Sequence, residues 1–124
     1  MPDLTTRQDI DKLLADFYAL AMADAGIGHF FTEVVALNLE THLPVIGNFW
    51  ESVLLGQPVY RGNPMLIHLE LAARAPLTTV HFERWLALWR QCVHTSFAGE
   101  RATLAIDRAE QIARLMLLKI EQGH

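Results

Sequence analysis

A single cysteine, Cys92, stands in the whole 124-residue chain. One thiol cannot close an internal disulfide, so the sequence falls outside the disulfide-stapled secreted domains, and a reducing compartment, the cytoplasm, is expected. Charge is also scarce. Asp, Glu, Lys and Arg make 19% of the residues, below the rough quarter usual in soluble domains. The ten Lys and Arg residues are scattered and the net charge is -4, which leaves no basic stripe for nucleic acid. Long apolar runs are missing too. The stretch Leu13–Met22 is broken by Asp16 and followed by Asp24, short of the roughly 18 uncharged residues a membrane span needs. No basic segment leads into an apolar one at the N-terminus, so no signal peptide is expected.

Catalytic signatures are equally thin. The chain has no CxxC, HExxH, GxGxxG, GxxxxGK[ST] or GxSxG, which sets aside zinc, dinucleotide, P-loop and hydrolase-elbow chemistry of those kinds. A di-iron bundle wants inward Glu and Glu-x-x-His pairs. Glu40 with His42, and His81 with Glu83, have the wrong spacing. No repeat, low-complexity tract or linker divides the sequence, so one domain over 1–124 is expected.

What the chain has is apolar surface: 52% of its residues are hydrophobic. A short soluble chain this apolar lines an oligomer interface, meets a membrane or wraps an apolar ligand. Its periodicity is helical almost throughout. A first helix is expected from Thr5 or Thr6, with Thr5 and Gln8 as a capping box and Gly26 and Gly28 as its exit. Ile10, Leu13, Leu14, Phe17, Tyr18 and Ala21 share one face. A short helix over 32–39 is followed by one starting near Thr41 or Leu43, with Pro44 in its first turn and Val45, Ile46, Phe49, Trp50, Val53 and Leu54 inward. It ends at Gly56. A loop then leads to Asn63-Pro64, which opens a two-turn helix through His68 and Leu71. A long helix from Thr78 or Thr79 to Phe97 carries Val80, Phe82, Trp85, Leu86, Trp89, Cys92 and Val93. A last one, from Glu100 to Glu121, carries Leu104, Ile106, Ile112, Leu115, Met116 and Ile120. The fold class is all-α.

Several side chains on these faces carry chemistry. His68 sits among Met65, Leu66, Ile67 and Leu69. An imidazole desolvated in this way needs a partner, either a backbone carbonyl in the core or a metal. His42, near the start of its helix, is either an exposed group or one facing His68 across a flat ligand. Tyr18 has a hydroxyl to satisfy on an apolar face. Trp85 and Trp89 are one turn apart and share a face, and Phe30 and Phe31 offer flat rings. Cys92 reads as an inert packed thiol.

These residues form an ordered pattern. Phe17-Tyr18 comes first, then His42 leading into Ile46-Gly47-Asn48-Phe49-Trp50 and Leu54-Leu55-Gly56. Tyr60-x-Gly62-x-Pro64, His68 and Phe82-x-x-Trp85-Leu86 follow. The pattern resembles the truncated haemoglobins, and the run Ile-Gly-Asn-Phe-Trp resembles their group III (P). Other groups carry glycine motifs of which Gly26 and Gly28 are a partial version, so the gas route is not assigned.

The resemblance implies a two-over-two helical sandwich around haem b (iron protoporphyrin IX). It implies His68 as the iron ligand, with Tyr18, His42 and Trp85 on the distal side around a diatomic ligand (O2, CO or NO). Phe30, Phe31, Ile46, Phe49, Trp50 and Met65 would contact the cofactor. Three polar groups around one ligand favour retention over reversible carriage, which points to NO-detoxifying or peroxidase-like redox chemistry with an unidentified reductase. A monomer or weak dimer is expected. The competing expectation is a metal-free helical ligand-binding or interaction module, with His68 a core residue.

Overall fold

The computed structural model describes residues 1–29, 39–56 and 78–122. Four helices are present among them: α1 (Arg7–Ala23), α2 (Leu39–Leu55), α3 (Thr79–Ser96) and α4 (Glu100–Gln122). No strand occurs among the described residues, and no helix there is long and apolar enough to cross a membrane. The short helix expected over 32–39, except for Leu39, which begins α2, the one expected from Asn63-Pro64 through Leu71, and the side chain of Ile120 lie outside the described residues. Helix α1 packs on α2 and α3, and α4 packs on α3 and α2. The pair α1/α2 is thus laid over the pair α3/α4, the two-over-two arrangement.

Helix α1 buries the face its spacing predicts: Ile10, Leu13, Leu14, Phe17, Tyr18 and Ala21. Its cap differs from the expectation. Thr6, not Thr5, is the N-cap, and its partner in the capping box is Asp9. Asp9 reaches back to the Thr5 and Thr6 amides at 3.0 and 3.1 Å. A carboxylate there both accepts these bonds and favours the helix dipole, which outcompetes the neutral Gln8. The exit differs too. Extended Asp24 ends α1, and its carboxylate takes the Gly26 and Ile27 amides at 2.9 and 3.2 Å. Gly28 serves close approach instead: a β-carbon there would lie 2.5 Å from the Met22 carbonyl oxygen.

Helix α2 begins at Leu39, so Pro44 lies in its interior and not in its first turn. Gly56 closes it in the left-handed region, with φ 70°, as expected of a helix exit. Val45, expected inward, and Val80, expected on the apolar face of its helix, are exposed, and so is Leu115. The reason is clearest on α4. Its buried stripe is Ala102, Ala105, Ala109, Ala113 and Met116. Small side chains let α3 and α4 approach closely, so the larger residues of α4 fall to the sides. The Trp89 indole N–H donates to the Ala105 carbonyl at 3.1 Å across that contact.

The N-terminal segment ties the layers together. Leu4 is fully buried. The Asp3 carboxylate accepts the Arg101 and Ala102 amides, at 3.0 and 2.8 Å, and so caps α4 from 98 residues away. Gly99, at φ 138°, leaves room for it, because a β-carbon there would meet the carboxylate.

Candidate ligand-binding site

Helix α1 places Tyr18 one residue after Phe17 on its buried face. Helix α2 brings His42 across to it. The Tyr18 hydroxyl and His42 Nε2 lie 2.7 Å apart, with the rings edge-on at 5.3 Å. The direction of that bond follows the His42 tautomer. Tyr18 is 8% exposed, and burial pushes its phenol well above the ordinary value. The phenol therefore keeps its proton over the physiological range and has one to give. His42 is half-buried.

Aromatic rings run on from this pair without a break. Tyr18 meets Phe17 at 5.3 Å, and Phe17 meets Trp85 at 6.0 Å and Trp89 at 5.2 Å. Trp89 lies flat between Trp85 (6.5 Å) and Trp50 (4.9 Å), and Trp50 contacts Phe49 at 5.2 Å. All three tryptophans thus share one column. Their indole N–H groups differ in use. Trp89 donates to Ala105, whereas half-buried Trp85 donates to no group among the described residues. Ile46 and Trp50 are buried and Phe49 half-buried on α2. The expected distal residues Tyr18 and His42 are thus in contact, and Trp85 joins them through Phe17. His68, Met65, Phe30 and Phe31 lie outside the described residues.

Two polar ties hold this arrangement, and neither was foreseen. Arg84 donates to Asp24 Oδ1 through Nε and Nη2, at 2.8 and 2.6 Å, fastening the end of α1 to the residue before Trp85. The Arg84 guanidinium, with help from the Gly26 and Ile27 amides, holds the Asp24 carboxyl below its usual range against the pull of burial. Arg7 fastens the other end of α1 to α2. A charged residue beside a helix end is a weak signal in sequence, because its partners lie 41 and 60 positions away. Cys92 is buried, and burial followed by the nearby Asp16 charge raises its thiol, which makes it unreactive.

No protein-family model matches the chain. A curated relative does: the group 3 truncated hemoglobin ctb of Campylobacter jejuni is 32% identical over 110 residues, spanning 86% of this chain and 84% of the relative. The chain belongs to the group III truncated haemoglobins. Its architecture agrees. The crystal structure of the group III truncated haemoglobin from Campylobacter jejuni superposes with a TM-score of 0.83 at 27% identity, covering 97% of this chain and 95% of the other. For a globin of this kind, the wall these described residues build fits a flat apolar group carrying a small polar ligand. It offers an aromatic and aliphatic wall, one protonated phenol backed by an imidazole, and one indole N–H that the described residues leave available.

Proposed function

We propose that this truncated globin binds haem b within a single domain over 1–124 and holds a diatomic ligand on its distal side. His68 is the residue we assign to the iron, with Phe30, Phe31 and Met65 against the ring and Ile46, Phe49 and Trp50 along the distal wall. When bound, haem supplies an iron centre that takes O2, CO or NO. The chain's own part is to hold, orient and keep dry.

The observation that carries this reading is the 2.7 Å contact of Tyr18 and His42 on the aromatic wall. With its ring proton on Nδ1, His42 accepts a hydrogen bond from the phenol at Nε2 and fixes the ring. A His42 protonated at Nε2 donates to the phenol oxygen and turns the phenol proton toward the pocket. Trp85 brings a second donor from the opposite layer. The phenol stands buried among rings that exclude water, where hydrogen bonds to a charged acceptor are strongest.

Two donors and an imidazole about one small ligand favour retention. We extend the reading to redox chemistry on the retained ligand, of the NO-detoxifying or peroxide-reducing kind, in the cytoplasm and with a separate reductase. Absorption spectra of the purified protein, oxidised and reduced, with and without CO, test the binding claim. A haem spectrum that shifts with CO is expected, with faster O2 release in Trp85→Phe. A colourless protein that takes up no added haemin overturns the reading and leaves a metal-free helical module.

A further inference from the structure

Arg7 stands in the first turn of α1 and reaches across to α2. Its Nη1 donates to Asn48 Oδ1 at 2.8 Å and its Nη2 to the Pro44 carbonyl at 3.2 Å. The Glu51 carboxylate lies 3.6 Å away, and Asp11 on the same helix steadies Nε at 2.9 Å. The guanidinium covers Gly47, where a β-carbon would come within 2.5 Å of Nη2 and 2.9 Å of Cζ.

The place of this contact matters. Pro44 supplies no N–H to the helix ladder, so the turn that carries His42 is tied less firmly to the rest of α2. Arg7 grips α2 just beyond that turn. On α1, Arg7, Leu14 and Tyr18 share a face, since the 11 positions between Arg7 and Tyr18 make about three turns. One face of α1 therefore offers Tyr18 to His42 and Arg7 to the following turns of α2. A hydrogen bond of 2.7 Å is lost when it lengthens by about 0.5–1 Å, so the pair tolerates little sliding or rotation of α2.

We propose that Arg7 is the positioning residue for the Tyr18–His42 pair: its bridge to Pro44 and Asn48 sets the depth and rotation of α2 that put His42 Nε2 in reach of the phenol. This rests on the ligand-pocket reading above. The sequence contains its own control. Gly47→Ala dislodges the guanidinium, the movable end of a long side chain, while adding helix propensity. A cleft of about 300 Å³ lined by Arg7, Asp11, Leu14, Glu40, Leu43 and Pro44 gives the displaced group somewhere to go. Arg7→Met removes the bridge and Gly47→Ala moves it aside, so the two variants differ in stability but agree in the pocket.

The test uses the protein as purified, selectively labelled with 15N in histidine, with haem content determined separately by absorption. The His42 Nε2 resonance should move toward its Tyr18→Phe position in both Arg7→Met and Gly47→Ala. In the O2-loaded protein, both variants should change the release rate in the direction that His42→Leu does, by about twofold or more, and change nothing further once His42→Leu is present. An unmoved Nε2 resonance in Gly47→Ala, or a rate effect that survives in the His42→Leu background, overturns the assignment. A protein without haem sinks the pocket reading, while the Nε2 measurement still decides what Arg7 does.

Discussion

Replacing Tyr18 by Phe removes one oxygen from a site that is 8% exposed and leaves the ring contact with Phe17 in place. A hydrogen bond from the phenol to a ligand bearing negative charge is worth about 1.5–3 kcal/mol. The structure reduces that figure. With His42 neutral and accepting at 2.7 Å, the phenol gives up a neutral bond worth about 0.5–1.5 kcal/mol when it turns to the ligand. From the middle of each range the net is about 1.2 kcal/mol, or roughly eightfold in the O2 release rate. Stopped-flow displacement of O2 from the reduced holoprotein measures it. Thermal unfolding serves as the control, and half-buried His42 can turn to water for its lost partner, so little change is expected there. The phenol's raised pKa adds a second signature. A folded value above the unfolded one, near 10, means a contribution to stability that is complete below about pH 10 and lost as pH rises through the folded value. Tyr18→Phe should therefore flatten the alkaline fall in stability. A release rate unchanged in a folded Tyr18→Phe protein would refute the claim that the pair acts on the ligand.

Two further predictions concern the frame around the pocket. Burial pulls the Asp3 carboxyl up, but the Arg101, Ala102 and Leu4 amides and the Arg101 charge outweigh it and hold the group below its usual range. Asp3→Ala should cost about 1–2 kcal/mol of unfolding free energy. Its loss should also flatten the acid fall, because the native contribution is full above the unfolded value of about 3.9 and disappears as pH drops through the folded one. Urea unfolding at pH 7 and pH 3 checks both. Gly28→Ala sets a methyl group 2.5 Å from the Met22 carbonyl oxygen. It should destabilise by about 1–3 kcal/mol, read as a lowered melting temperature; an unshifted melt would show that the turn relaxes freely.

The sequence made some of this legible and hid the rest for physical reasons. The buried face of α1, the Gly56 exit and the meeting of Tyr18 with His42 follow from helical spacing and from a motif whose order is shared with a family. The α4 stripe of alanines is not legible in the sequence, because large side chains signal burial more loudly than alanines do, yet close helix packing selects the alanines. A proline favours the first turn of a helix, but α2 accommodates Pro44 in its interior. Thr6 displaced Thr5 as cap because Asp9, and not Gln8, supplies the charge. The ties made by Arg7, Asp3 and Asp24 were out of reach. Each joins residues far apart in the chain, and no local period announces such a pair.

If this helical sandwich holds a porphyrin through one imidazole, that of His68, haemin uptake must depend on it. Haemin is titrated into the haem-free protein and followed in the Soret region, for the parent and for His68→Ala side by side. Saturation at one haemin per chain is expected in the parent, with loss of that band in the variant. An identical titration for both proteins, or no uptake by the parent, rules the imidazole out as the iron's anchor.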